Sequence, residues 1–313
     1  MEKQHLRILI PVDGSDQALQ AALYAANIFP KDRTELVLFH VDAQNPDLNK
    51  SITGNPLYGE TMKHIDKWMA ADHRVMGRFM ETTADLIYNL GFPESSVTMK
   101  VKKKEDRVLE EILRESYDDY DAVVVGKTGK SRLKDRFIGS LAIKLAGKME
   151  RIPLIIVDGS PETEHLLLSV DLREEAFKCI YKIGSLLDIQ NFSIAICHVA
   201  RCAAKKSDRP EDSSIDCTEH RCPLRDVDCI CPSIASMKEC LIDSGILSEN
   251  VTDLVMGASD AVGMTLELAR EKEVGTIIVG RRAIVPFMEE LISGRYSQKL
   301  LKKMKNMALW VVN

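Results

Sequence analysis

The second half of this 313-residue chain repeats the landmarks of the first half, and no other feature of the sequence constrains the fold as strongly. Asp13 ends an apolar run and is matched 158 residues later by Asp171. Further along, Gly139 is matched by Gly294 at a spacing of 155 residues. A repeat of this length corresponds to a whole domain, so the chain is predicted to fold as two similar domains in tandem.

The boundary between the two copies is predicted in the turn-rich stretch from Asp158 to Glu164. The predicted domains are residues 1–158 and residues 164–313. The second domain carries a Cys-rich insertion at about residues 200–233, whereas residues 1–178 contain no cysteine.

Within each copy, short apolar runs alternate with segments whose apolar residues recur every three or four positions. The predicted strands of the first copy are Arg7 to Val12, Glu35 to His40, Val97 to Val101, Ala122 to Val125 and Leu154 to Val157. The first predicted helix runs from Ser15 to Ile28. Apolar strands that alternate with crossover helices form a parallel sheet covered on both faces. Each domain is therefore predicted to be an α/β, doubly wound parallel sheet.

Charge and hydropathy limit the partners of the chain. It has 42 Lys and Arg against 47 Asp and Glu, a net charge of -5, which argues against general binding to nucleic acid. The longest apolar stretches, such as Ile152 to Val157, are far shorter than the roughly 20 residues that cross a bilayer. No apolar signal segment begins the sequence, so we predict a cytoplasmic protein that does not bind membranes.

A glycine pattern follows the fourth predicted strand. It consists of Gly126 and Gly129, then nine residues, then Gly139 and Ser140 at the start of a helix. Glycines can adopt positive φ and let backbone N–H groups approach phosphate oxygens, and a helix N-terminus attracts the same anion. The segment also carries five basic residues: Lys127, Lys130, Arg132, Lys134 and Arg136.

Other polar residues at strand ends admit two interpretations. Asp13 follows the first strand, where it is predicted to contact a ligand or to form the turn before the first helix. His40 and His198 end equivalent strands, and we interpret them as structural residues because the sequence places no nucleophile and orienting carboxylate beside them.

The spacing Gly-x2-Gly-x9-Gly-Ser, after an Asp-terminated first strand, resembles that of the ATP-binding universal stress proteins. The resemblance covers nearly the whole chain as two copies. It implies five-stranded parallel sheets in the order 3-2-1-4-5, whose last strands pair antiparallel. The two copies would thus form a pseudo-dimer within one chain, and further homodimerisation stays open.

The resemblance also implies a ligand, ATP or a related adenine nucleotide, in the first domain. Carried over by motif position, its contacts would be Pro11, Val12, Asp13, Val41, Val125, Gly126, Gly129, Lys130, Gly139, Ser140 and Leu141. A divalent cation often bridges the phosphates in that family, although no residue here identifies one. In the second copy Ala283 replaces a glycine and Arg295 replaces the serine, so one nucleotide per chain is predicted.

Seven of the eight cysteines lie between Cys197 and Cys240. The densest part offers five candidate ligands for zinc: Cys217, His220, Cys222, Cys229 and Cys231. Zinc commonly takes four such ligands as two close pairs. An iron–sulfur cluster, redox-active thiols or disulfides, and unliganded cysteines are the alternatives.

The sequence therefore predicts a stress-response binding or signalling module with one nucleotide site, for which no catalytic residue is required. Two alternatives stay open: a weak ATPase or adenylyl-transferring enzyme, and a metal or redox sensor that acts through the Cys-rich loop. Neither the stress signal nor the downstream partner is indicated by the residues.

Overall fold

The computed structural model describes residues 5–42, 59–129, 139–170, 174–201, 230–280 and 296–312. The first half contributes β1 (Leu6–Pro11), α1 (Asp16–Ile28), β2 (Thr34–Asp42), α2 (Gly59–Asn89), β3 (Val97–Lys103), α3 (Val108–Glu115), β4 (Ala122–Gly126), α4 (Ser140–Lys148) and β5 (Leu154–Val157). The second half contributes β6 (His165–Ser169), α5 (Glu174–Leu186), β7 (Ser193–Arg201), α6 (Ile230–Asp243), β8 (Val251–Ala258), α7 (Ala261–Glu271), β9 (Thr276–Gly280), α8 (Tyr296–Lys303) and β10 (Ala308–Val312). The strands predicted for the first copy are confirmed to within two residues at either end.

The first helix shows how local sequence sets these boundaries. Ser15 is the N-cap of α1, and its hydroxyl accepts a hydrogen bond from the Ala18 N–H at 3.2 Å. Asp16 adds a negative charge in the first turn, where the helix dipole favours it. The helix ends at Ile28, as predicted.

The strands of the described residues form one ten-stranded sheet in the order β3-β2-β1-β4-β5-β10-β9-β6-β7-β8. Within each half, neighbouring strands are parallel and follow the order 3-2-1-4-5. The two halves meet where β5 pairs antiparallel with β10, with Ile155 opposite Trp310. The predicted fold, two doubly wound sheets joined as an intrachain pseudo-dimer, is confirmed.

Helices cover both faces of the sheet because successive strand residues point to opposite sides. In β1, Ile8 and Ile10 face the core beneath α1, α2, α5 and α6, whereas Leu9 faces the core beneath α3, α4, α7 and α8. Both cores run across the two halves of the chain. No helix in the described ranges is long and apolar enough to cross a membrane.

A buried polar cluster joins the two halves. The Trp310 indole N–H donates to the Tyr24 hydroxyl at 2.8 Å, and that hydroxyl is hydrogen-bonded to Thr276 Oγ1 at 2.8 Å. Phe29 packs against Trp310 with 5.7 Å between the ring centroids. Burial raises the pKa of Tyr24, so the phenol stays neutral and its hydrogen bonds persist at physiological pH.

Candidate functional site

The candidate site lies at the carboxyl ends of β1 and β4. These strands are neighbours, and the chain order reverses between them because β2 and β3 lie on the other side of β1. Such a switch point leaves a crevice between the loops that follow the two strands. Both loops belong to the segments from which the sequence predicts a nucleotide site.

The loop after β1 is held by its own polar groups. The Val12 N–H donates to the Phe39 carbonyl at 2.8 Å, which ties the loop to β2. Asp13 Oδ1 accepts a hydrogen bond from the Ser15 N–H at 3.0 Å, just before α1 begins. The predicted turn role of Asp13 is therefore present.

Two equivalent histidines stabilise the strand ends. His40 Nδ1 lies 2.9 Å from the Val12 carbonyl oxygen, and His198 Nδ1 lies 2.9 Å from the Val170 carbonyl oxygen. Since a carbonyl can only accept, each Nδ1 carries the proton. The predicted structural role of both histidines is confirmed.

The loop after β4 packs tightly against the β1 loop and α1. A Cβ added to Gly126 would lie 2.8 Å from the backbone of Gln17 in α1. A Cβ added to Gly129 would lie 2.6 Å from Asp13 Oδ2, so the second carboxylate oxygen of Asp13 faces this glycine. Neither glycine uses the positive φ that glycine allows, which among the described glycines occurs at Gly14, Gly91, Gly159 and Gly245. Close approach, rather than a left-handed turn, is what disfavours a side chain here: backbone atoms block it at Gly126, and the Asp13 carboxylate would have to move at Gly129.

The third glycine of the pattern returns to the same place. The Gly139 N–H donates to the Lys127 carbonyl at 2.8 Å, and a Cβ on Gly139 would lie 3.3 Å from Thr128 Cα. Helix α4 begins at the next residue, Ser140. Helix geometry leaves the first N–H groups of α4 without intrahelical acceptors, so they supply anion-binding donors beside Gly129.

Three further predicted site residues belong to one apolar cluster. Val41 at the end of β2 and Val125 in β4 are buried, and Leu141 in the first turn of α4 packs against them as part of that cluster. The cluster lies on the sheet face covered by α3 and α4. An apolar wall thus adjoins the polar loops, as a ligand with one apolar and one anionic end requires.

An open groove of about 450 Å³ runs between α3 and α4. It is lined by Arg107, Val108, Leu109, Glu110, Leu141, Lys144 and Lys148. Of the predicted site residues whose side chains the structure describes, only Leu141 lines it, so this groove is an extension of the candidate site and not the crevice between the loops.

Lys127 does not serve the role expected of it. Lys127 is one of the five basic residues of the glycine segment, whose combined charge would suit a polyphosphate. Its ammonium group instead donates to the Met304 carbonyl at 2.7 Å and pairs with Asp158 at 3.1 Å. The side chain is buried at the junction with the second half, where these two acceptors offset the loss of hydration.

A buried ion pair that the sequence did not reveal lies beside the cluster. Glu111 is fully buried, and its carboxylate pairs with the Lys102 ammonium group at 3.1 Å. Lys102 lies in β3, opposite Val41 of β2. Burial alone would raise the pKa of Glu111, but hydrogen bonds from Lys102 and from the Asp106 N–H hold it below its usual value. Lys102 thus neutralises the buried carboxylate of Glu111.

Some predicted residues fall outside the described part of the chain. These are Lys130 in the glycine segment and the proposed metal ligands Cys217, His220, Cys222 and Cys229, while Ser140 and Cys231 are described by their backbone alone. Within the described residues, no three His, Cys, Asp or Glu side chains are grouped so that they could hold a metal ion. The proposed metal site therefore stays a prediction.

Comparison with known proteins agrees with this fold. The model of the universal stress protein family matches residues 5–158. The chain belongs to the universal stress protein family. No curated protein sequence matches it significantly.

The whole universal stress protein fold, including the second half, has counterparts among solved structures. A universal stress protein from Archaeoglobus fulgidus matches 99% of this chain and 97% of its own, at 16% identity and a TM-score of 0.63. A protein of unknown function from Pseudomonas aeruginosa PAO1 matches 99% of this chain and 93% of its own, at 12% identity and a TM-score of 0.55. A universal stress protein in complex with cAMP matches 48% of this chain and 96% of its own, at 12% identity and a TM-score of 0.35.

Proposed function

We propose that this universal stress protein binds one molecule of ATP, or of a related adenine nucleotide, in its first domain. The observation that carries the proposal is the convergence of three elements at the switch point. An added Cβ would lie 2.6 Å from Asp13 Oδ2 at Gly129 and 3.1 Å from the Lys127 carbonyl oxygen at Gly139, so the Asp13 turn, the Gly126–Gly129 segment and the start of α4 are in close contact. Backbone N–H groups exposed in this way fit phosphate oxygens.

The roles of the residues follow from their chemistry. Asp13 Oδ2 can accept from a ribose hydroxyl, and the apolar side chains of Val41, Val125 and Leu141 can pack against the base. The first N–H groups of α4, beside Gly129, can donate to the phosphates. We propose binding or signalling in a stress response as the role of the chain, and its action in the cytoplasm stays a prediction.

The test is a ligand assay on the full-length chain. Mass spectrometry of small molecules released on denaturation should detect an adenine nucleotide, and titration calorimetry with ATP and Mg²⁺ should give about one site per chain. A second titration, with ATP and a chelator in place of Mg²⁺, measures how much the divalent cation contributes to the affinity for ATP. Two equal sites, or no binding, would contradict the proposal, and hydrolysis faster than about 1 per second would favour the enzyme alternative.

We also propose that the Cys-rich segment of the second domain binds zinc. Cys179 and Cys197 are buried, and burial raises the pKa of both thiols to about 12, so these two are inert apolar residues. The cysteines from residue 202 to residue 231 are different, because they lie in a largely polar segment and supply close ligand pairs.

Elemental analysis of untagged protein should find about one zinc ion per chain. Cys222→Ser is expected to abolish most of this content, whereas Cys240→Ser, a matched substitution in α6, should retain it. A wild-type content below about 0.2 equivalents of zinc and iron would contradict metal binding. Structural changes that follow oxidant or metal in the absence of nucleotide would favour the sensor alternative.

A further inference from the structure

The second domain contains a tyrosine at the position that corresponds to the candidate site of the first. Gly139 and Gly294 are matched at a spacing of 155 residues, and the same spacing matches Leu141 with Tyr296, the first residue of α8. In the first domain Leu141 borders the groove between α3 and α4. Tyr296 therefore places a much larger side chain at the corresponding position.

The phenol is held by two hydroxyl groups. Its oxygen lies 2.9 Å from Ser169 Oγ and is also hydrogen-bonded to Thr265 Oγ1. Ser169 ends β6 just as Pro11 ends β1, and Thr265 in α7 corresponds to Glu111 in α3. Both partners thus occupy positions that border the candidate site in the first domain.

The side chains around Tyr296 are more apolar than the corresponding side chains of the first domain. Val199 corresponds to Val41, and Met256 corresponds to Lys102. Both belong, with Tyr296, to the partly buried side chains that pack on the core beneath α7 and α8. The buried pair Lys102–Glu111 of the first domain is thereby replaced by Met256 and Thr265, which suit an aromatic ring with one polar atom better than an ion pair does.

We propose that the second domain retains a binding cleft, bordered by Ser169, Val199, Met256 and Thr265, which its own Tyr296 ring occupies. The cleft accepts a planar aromatic ring that carries one hydrogen-bonding atom, and the covalently attached phenol is its resident ligand. Burial raises the pKa of Tyr296, consistent with a neutral phenol between two hydroxyl groups. This second site does not depend on the nucleotide proposed for the first.

Chemical rescue tests the proposal. Tyr296→Ala removes the ring, and 4-methylphenol, which is the lost side chain as a free molecule, serves as the probe. At saturating probe we expect the Tm of this variant to rise by about 2 °C or more. Toluene, which lacks the hydroxyl, should raise it less, because it leaves Ser169 and Thr265 without their partner.

Matched controls separate this effect from unspecific binding. The wild type and Tyr181→Ala, which deletes a ring that is 63% exposed, should show no rise in Tm with 4-methylphenol. Tyr296→Thr is a second variant that keeps a hydroxyl and should respond as Tyr296→Ala does. If 4-methylphenol raised the Tm of neither Tyr296→Ala nor Tyr296→Thr, or raised the Tm of the wild type equally, the proposal would be overturned.

Discussion

Replacement of Gly129 by alanine is expected to lower the affinity for ATP about 100-fold, equivalent to about 2.7 kcal/mol. The new Cβ would lie 2.6 Å from Asp13 Oδ2, so the carboxylate must turn away and the loop loses its close approach to the ligand. The obstacle is the end of a flexible side chain, so the fold should tolerate the change. Titration calorimetry with ATP and Mg²⁺ measures the loss of affinity.

The chain offers a matched control for this substitution. Gly77 lies within α2, and a Cβ added there would meet no atom within 4 Å. Gly77→Ala should leave ATP affinity unchanged and stabilise the protein by about 0.5–1 kcal/mol, because alanine loses less conformational freedom in a helix. An unchanged affinity in Gly129→Ala would argue against a nucleotide between the two loops.

The sequence predicted the fold well because its strongest signals are local or repeated. Each strand of the first copy is a short apolar run, and Ser15 marks the beginning of α1 through its own capping hydrogen bond. The repeat then transfers the same pattern to the second half. The antiparallel pairing of β5 with β10 was implied by the resemblance to a family, since no local pattern specifies it.

The nucleotide site itself stays a prediction, and the contacts of its two loops were predicted only in part. The glycines at 126 and 129 were identified correctly as an unusual pattern, yet they allow close approach and do not adopt positive φ. The charge of Lys127 was expected to suit a polyphosphate, but its acceptor Met304 is 177 residues away in the chain. Contacts of this kind depend on how the two halves meet, which no window of sequence contains.

The same limit applies to Tyr296. Its neighbours Ser169 and Thr265 are ordinary residues in the sequence, and their roles appear only when the two copies are superposed position by position. The repeat thus reveals more than a fold: differences between matched positions show where the second domain has changed its chemistry.

The second large effect is expected at the junction of the two halves, where Trp310→Ala should lower the free energy of unfolding by about 3–5 kcal/mol. Trp310 is fully buried, packs against Phe29 and donates its indole N–H to Tyr24 across the junction. Its loss leaves a large cavity and removes one of the two hydrogen bonds of the Tyr24 hydroxyl between the domains. Guanidinium unfolding followed by circular dichroism measures the change without relying on the deleted fluorophore.

A double-mutant cycle separates the hydrogen bond from the packing. Tyr24→Phe removes the hydroxyl shared by Trp310 and Thr276 and should cost about 1–3 kcal/mol, because both partners are buried. Trp310→Phe keeps an aromatic ring but removes the donor. Because both variants break the same bond, their combination should cost less than the sum of the two by about 0.5–3 kcal/mol.

The control for hydroxyl removal is Tyr117→Phe, at a side chain that is 57% exposed, and this change should stay within about 0.5 kcal/mol of the wild type. If Tyr24→Phe and Trp310→Phe were simply additive, the two side chains would not share a hydrogen bond. Coupling between residue 24 and residue 310, in contrast, would mean that the two domains stabilise each other through one buried contact. The pseudo-dimer would then owe part of its stability to a polar bond between its halves as well as to the pairing of β5 with β10.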